Sequence, residues 1–251
     1  MLQIIKLEAY KYVKNIFGVI FGLVFPIMWT VIIGVAWGKE TFYIPNVNKT
    51  VNVLDYCFPA LMVMAILSFS VAAIPITLCS NRIDKRTKII ALANISKLQY
   101  IISLMLCYYI MYFIEFVIVL IIAITAFKLT TSIAMIMSLL FIPIVIFVLH
   151  FLISVSLANF CQTMTIISSV SLLFLMISLF FSGSTVSTYV VDPNNAWFKY
   201  IQYILPTGNA VLIINSIANQ IDTSKIWWIY VTSSLYFGLF TFLAVKYFKW
   251  D

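Results

Sequence analysis

A chain of 251 residues that is 64% apolar and only 9% charged cannot cover the surface of a soluble fold, which needs about a quarter of its residues charged, so it is not a soluble enzyme. Its net charge of +7 is spread out, and no basic block is dense enough to point to nucleic acid. Four cysteines, Cys57, Cys79, Cys107 and Cys161, sit far apart inside or at the rim of apolar runs, as small packing residues do and as a disulfide framework or zinc site does not.

Residues 1–14 are amphipathic. Leu2, Ile5 and Ala9 form one apolar edge, and Lys6, Lys11 and Lys14 lie mostly elsewhere. This predicts a helix in the plane of the inner leaflet; a plain extension of the first span is the alternative. No small-residue cleavage site closes a short apolar core, so no cleaved signal peptide is expected. A spanning helix needs about 20 mostly apolar residues, and the charge-free stretch from Asn15 to Gly38 gives a first span at 16–38. It carries Gly18-x-x-x-Gly22 and then Pro26, with Gly34-x-x-x-Gly38 following. Small residues at that spacing let helices approach closely, which makes Gly18 and Gly22 candidates for a homodimer contact. A second span is expected at 56–80.

The loop 82–97 is the largest one on its side. Arg82, Asp84, Lys85, Arg86, Thr87 and Lys88 lead into Ile89, Ile90, Leu92 and Ala93, and Asn94 stops the run. A short helix with one apolar face is predicted, offered to a soluble partner; the plainer reading is that the basic residues only set topology. A third span at 99–127 is broken only by Glu115. From Leu129 to Val191 no Asp, Glu, Lys or Arg occurs and His150 is the one side chain that can be charged near neutrality, and the polar break at 159–163 divides this stretch into spans at 132–158 and 164–186. An acid near mid-membrane is costly and marks a functional or structural pairing. His150 is the candidate partner for Glu115, although at about 1.5 Å per residue the two lie about 27 Å and about 20 Å below the 128–132 turn.

Ser178, Ser182, Ser184 and Ser187 gather around Gly183, beside Phe180 and Phe181, at the outer end of the fifth span. They suit an outer gate or plain helix packing. The window 195–220 is too polar to face lipid and is broken by Pro206 and Gly208, so two short external helices at the interface, or dipping partly in, are expected there. The last span is 226–246. Six spans place Lys6, Lys11, Lys14, Arg82, Lys85, Arg86, Lys88, Lys97, Lys246 and Lys249 on one side, and Lys39, Lys49, Lys128, Lys199 and Lys225 on the other. The richer side is cytoplasmic by the positive-inside rule, which puts both termini inside. Trp29, Trp37, Trp197, Trp227, Trp228 and Trp250 fall near span boundaries, where indoles anchor. The expected fold is therefore an all-α polytopic membrane protein, a single transmembrane domain over 1–251.

Catalytic motifs are missing. Gly34 to Gly38-Lys39-Glu40 has the wrong spacing for a phosphate-binding loop, no His-Glu-x-x-His occurs, and the single histidine cannot build a histidine-rich metal site. Gly183-Ser184 has no histidine after it. There is no Arg-rich voltage-sensing helix, selectivity filter or clear inverted repeat. The expectation is no enzyme and no cofactor bound by the chain.

The order of these parts resembles the membrane subunit of a type-2 ABC exporter, a family that includes teichoic-acid, multidrug and bacteriocin-related permeases. The likeness rests on the amphipathic start, on Asp84-Lys85-Arg86-Thr87, Leu92, Asn94-Ile95-Ser96 and Lys97, and on Phe181-Ser182-Gly183, Trp197-Phe198, Tyr200-Ile201 and Ile204-Leu205-Pro206-Thr207. It departs at Arg86 and Asn94, where the family has glycine and proline, and a proline usual soon after Ser-Gly is missing. The resemblance implies a separate cytoplasmic ATPase that binds ATP and Mg and docks on Arg82, Asp84, Lys85, Arg86, Thr87, Lys88, Ile90 and Leu92. It also implies a second permease copy in a homodimer within the membrane lipid of a bacterial cell. The translocation path would run past Met62, Met64, Phe69, Phe174, Met176, Phe180 and Ser182. An amphipathic peptide, such as a toxin or bacteriocin, or another hydrophobic cargo fits such walls better than a sugar. Secretion and self-immunity stay open. The competing readings are an ATP-independent secondary transporter and a six-span intramembrane enzyme centred on Glu115 and His150.

Overall fold

The computed structural model describes residues 2–14, 19–44, 49–185, 196–221 and 224–248. Gly18, Ser187, Lys249 and Trp250 lie outside the described residues. The chain begins with α1 (Leu2–Lys14). A π-helical turn, Ile20–Val24, leads into α2 (Phe25–Trp37). A hairpin of β1 (Thr41–Ile44) and β2 (Lys49–Asn52) follows. Next come α3 (Val53–Leu67), a second π-helical turn (Ser68–Ala73), α4 (Ile74–Ile83) and α5 (Arg86–Leu92). The remaining helices are α6 (Lys97–Phe127), α7 (Ile133–Phe160), α8 (Met164–Phe181), α9 (Ala196–Ile204), α10 (Pro206–Asn219) and α11 (Trp228–Lys246).

Among the described residues, five helical stretches are long and apolar enough to cross a membrane: Val53–Ile83 and α6 with 31 residues each, α7 with 28, α8 with 18 and α11 with 19. The first expected span supplies a shorter apolar helix, Gly22–Trp37. The all-helical expectation misses the hairpin. There Thr41 pairs with Asn52 and Ile44 with Lys49 in antiparallel register. β-branched and aromatic residues in Thr-Phe-Tyr-Ile and Thr-Val favour extended backbone, and Asn52 closes the unit. Its side-chain oxygen accepts from the Leu54 N–H at 2.8 Å, capping α3, and its amide donates to the Gly38 carbonyl at 2.6 Å. At the same end of the bundle, the Asp55 carboxylate accepts from the Thr130 N–H at 3.0 Å and from the Thr130 hydroxyl. Lys128, at φ 55°, ends α6 there.

Both π-helical turns directly precede a proline, Pro26 in α2 and Pro75 in α4. A proline inside a helix offers no N–H and its ring crowds the carbonyl four residues back. Widening the turn before it relieves the crowding, and the Phe25 N–H then bonds the Ile20 carbonyl five residues back. The two turns lie side by side: a Cβ added at Gly22 would come within 3.2 Å of the Phe69 ring.

The core is built around α3, whose residues from Leu54 to Leu67 are nearly all shut off from solvent, apart from Asp55. α2, α6, α7 and α10 pack around it. Lipid is as apolar as a leucine side chain, so such packing rests on close van der Waals fit and polar contacts rather than on the hydrophobic effect. α10 is wedged among α3, α7 and α11 with Thr207, Asn209, Asn215 and Ser216 turned inward. Gly208 makes this possible, because a Cβ there would sit 1.9 Å from the Gln202 carbonyl oxygen of α9.

α1 differs in detail from its expected pattern. Ile4, Glu8 and Tyr12 form its inward stripe, while Leu2 is exposed and Ile5 and Ala9 are half-buried. A carboxylate faces inward because it meets partners: Lys11 donates to Glu8 Oε1 at 2.7 Å and the Asn81 amide donates to the same oxygen at 3.3 Å.

Candidate functional site at the α5 end of the bundle

α5 is held like a handle between two tight turns. Lys85, at φ 57°, precedes it, and Asn94, at φ 59°, follows it. α6 then starts on a reciprocal cap, in which the Ser96 hydroxyl accepts from the Gln99 N–H at 3.2 Å and the Gln99 side chain accepts from the Ser96 N–H at 3.1 Å. One face of α5 is anchored, with Thr87 buried and Ile90 half-buried against the core. The other face is open. Leu92 is 86% exposed and Ile89 65%, flanked by exposed Asp84, Lys85, Arg86 and Lys88. Arg86 reaches Asp84 at 3.4 Å, both of them half in solvent, a pair worth at most about 1 kcal/mol.

The residues expected to dock a partner therefore divide. Asp84, Lys85, Arg86, Lys88 and Leu92 face outward. Arg82 and Thr87 do not: the Arg82 guanidinium turns back to the Ala158 carbonyl at the end of α7, satisfying the helix C-terminus that would otherwise be left open. Ile89 joins the outward set in place of Ile90. The three-residue spacing of Arg86, Ile89 and Leu92 on one helix face was the available signal.

A polar network ties this handle to α1. Asn81, in the last turn of α4, is 2% exposed. Its amide donates to the Tyr100 hydroxyl at 3.0 Å and to Glu8, and its oxygen accepts from Lys11 at 3.1 Å. Thr77 and the Tyr108 hydroxyl meet at 2.8 Å, and the Cys107 thiol lies 3.5 Å from the Ile5 carbonyl. Between α1, α4 and α5 is a cavity of about 280 Å³, lined by Lys11, Thr77, Ser80, Asn81 and Arg86 among others. Lys97 donates to the Phe248 carbonyl at 3.3 Å, so α11 ends at this same level.

The expected path residues also divide. Met62, Met64 and Phe69 are fully enclosed within the chain, because α3 and the π-helical turn after it run through the centre; they line no open surface. Phe174 and Met176 are half-buried, and Phe180 is 67% exposed on the outer face of α8. Ser182 is buried and its carbonyl accepts from the Gln202 amide at 2.8 Å. The following Gly183 stands at φ 78°, where a side chain is disfavoured. Trp29, expected as an interfacial anchor, donates to the Thr185 carbonyl at 3.1 Å and ties α2 to this corner. Gly22, expected at a dimer contact, is buried within the chain. Its close approach is internal, since a Cβ would fall 2.0 Å from the Tyr12 hydroxyl oxygen.

Glu115 and His150 do not pair. The His150 Nδ1 lies 2.8 Å from the Ile146 carbonyl and its Nε2 lies 3.0 Å from the Thr207 hydroxyl. A carbonyl only accepts, so in a neutral ring Nδ1 donates and Nε2 accepts from Thr207. Thr207→Val leaves that nitrogen buried without a donor and lowers stability by about 1–3 kcal/mol, while Thr207→Ser restores it; thermal unfolding midpoints in detergent check both.

Membrane-length helices, an apolar outer face and an enclosed polar core define a polytopic helical membrane protein. The model of the ABC-2 type transporter family matches residues 2–217, and the chain belongs to that family. It is thus a multi-pass permease component of an ABC transporter, a partner for an ABC ATPase subunit and not itself an ATPase. Comparison with curated proteins gives no match.

Proposed function

We propose that this permease belongs to an ATP-driven exporter that moves an amphipathic or hydrophobic cargo, such as a peptide toxin, a bacteriocin or a drug-like molecule, out of a bacterial cell. The observation that carries the reading is the open face of α5. Leu92 and Ile89 stand exposed within a basic rim, on a helix whose other face is fixed to the bundle. An exposed apolar pair on a rigid mount suits a soluble partner and is wasteful otherwise. The α5 end is cytoplasmic in this reading, by its lysines and arginines, and the first apolar stretch completes six spans. Two copies of the permease pair as a homodimer. ATP and Mg bind to the ATPase, and its closure pushes on α5 and, through Asn81, on α1. Export then proceeds by rigid-body rocking of the two copies. Phe174, Met176 and Phe180 on α8 are the path residues that keep exposed surface.

The test is to purify the tagged permease from its native host in mild detergent and identify what accompanies it. A stoichiometric ATPase is expected. Arg86→Glu reverses charge on the rim and lowers its recovery about tenfold, because rim charges act mainly on association. A permease that brings down no ATPase, even after crosslinking, overturns the proposal.

A further inference from the structure

Glu115 lies near the middle of α6, completely shut off from solvent. Neither of its carboxyl oxygens has a hydrogen-bond partner among the described residues, and the Tyr112 hydroxyl one turn away is in the same state. Aromatic rings close the site. Tyr12 of α1 lies 5.5 Å from Phe69 of the second π-helical turn, and Phe69 and Phe116 each lie 6.4 Å from Tyr112.

The titratable groups that sense Glu115 are the phenols of Tyr12, from α1, and Tyr112, from α6 itself. The turn Ile20–Val24 brings none. In the turn Ser68–Ala73 the serine hydroxyls are spent on the Met64 and Ile66 carbonyls, and α7 brings the Phe147 ring to Tyr112. The ion pairs among the described residues, Lys11–Glu8 and Arg86–Asp84, do not include Glu115. Among the described residues an ionised carboxylate here would have neither cation nor hydrogen-bond donor, which is far costlier than burying a neutral acid.

α1 packs along α6, the helix that carries Glu115. It enters through Tyr12, whose hydroxyl fills the space left by Gly22. Burial holds the Tyr12 phenol above its ordinary range, so it does not titrate near neutrality. Glu8, one turn back on α1, and Lys11, next to Tyr12, are engaged with each other and with Asn81.

We propose that Glu115 is a proton-binding site whose occupancy is linked to the seating of α1: the carboxylate takes one proton from water to become a carboxylic acid as α1 seats, and returns it as α1 lifts. No electrons move and no other co-reactant is needed. The linkage has a definite sign. The seated form holds one more proton than the lifted form, so raising the pH favours lifting, by up to about tenfold in the ratio for each pH unit.

Two measurements on the full-length permease test this. The native cysteines are all buried, so a nitroxide on Val13→Cys, at a site 65% exposed, reports on α1. The mobile fraction in the wild type is expected to rise several-fold between roughly pH 6 and about pH 9, a range in which ordinary carboxyls are already ionised. In Glu115→Gln the label stays immobile throughout, because the amide mimics the neutral acid. The second measurement needs no variant. Infrared spectra of protein carrying isotopically labelled Glu8, Glu40 and Glu115, the three glutamates of the chain, should show one carboxylic-acid C=O band at neutral pH that fades as the label loosens. A spectrum with only carboxylate bands at neutral pH overturns the proposal. So does a mobility profile that is the same in wild type and Glu115→Gln.

Discussion

Leu92→Asp abolishes capture of the ATPase subunit while leaving the permease intact. Leu92 is 86% exposed, so the change costs the isolated permease no more than about 0.5 kcal/mol. In a complex it removes an apolar anchor and buries an unpaired carboxylate. Loss of a central interface anchor costs about 2–4 kcal/mol, or roughly 30-fold to nearly 1,000-fold in affinity. Titration of the purified ATPase against detergent-solubilised permease reads this directly. Ile133→Asp is the matching control, since Ile133 is also well exposed, at 78%, but begins α7 at the hairpin end. That variant should bind the ATPase as the wild type does. Equal affinity for Leu92→Asp and wild type would show that α5 is not the docking face.

Asn81→Leu detaches α1. The side chain of Asn81 is the junction at which Glu8, Lys11 and Tyr100 meet. Leucine is of similar size but offers no donor or acceptor. Glu8, 1% exposed, keeps its ion pair with Lys11 but loses the Asn81 amide, and the Tyr100 hydroxyl loses its bond to the same amide. A buried group stripped of its partner costs about 1–3 kcal/mol, and more if charged, so the total is about 3 kcal/mol or above. The expected result is a lower unfolding midpoint together with proteolysis within residues 2–14, while the span helices stay protected. Protection of α1 equal to the wild type would mean that ring packing at Tyr12 holds the helix without the network.

Chain-spanning features were legible in the sequence because lipid imposes one rule on every span. Backbone groups must be satisfied internally, so a long apolar stretch such as 98–127, broken only by Glu115, has no option but a helix. The hairpin was hidden because it lies outside those stretches, where the choice between loop and strand rests on a few residues. Thr41-Phe42-Tyr43-Ile44 and Lys49-Thr50-Val51-Asn52 carried a β signal that is weak at a length of four. The inward stripe of α1 was off by one residue, since a wheel drawn from hydropathy alone turns Glu8 outward. What turns it inward is Asn81, 73 positions away.

The pairing of Glu115 with His150 failed for a similar reason. Depth along a helix is readable from sequence, and the mismatch between the two was visible. The polar group that meets His150 comes instead from α10, and no periodicity in the Pro206–Asn219 stretch fixes which of its polar residues enters the core at that depth. The exposed half of α5 was readable as a basic and apolar loop. The inward turn of Arg82 was not, because it depends on a carbonyl at Ala158, 76 positions later.

The long reach of the α1 contacts also sets an order of events during synthesis. α1 leaves the ribosome before Asn81, Cys107 and Tyr108, the residues that hold it, and the Ile5–Cys107 contact spans 102 positions. At about 5–20 residues per second, several seconds pass between the appearance of the helix and that of its seat. Through that interval its apolar edge has only the membrane surface to rest on. The nascent chain is thus tethered flat against the bilayer while the next helices insert, and closure of the N-terminal helix waits until α4 and α6 have been made.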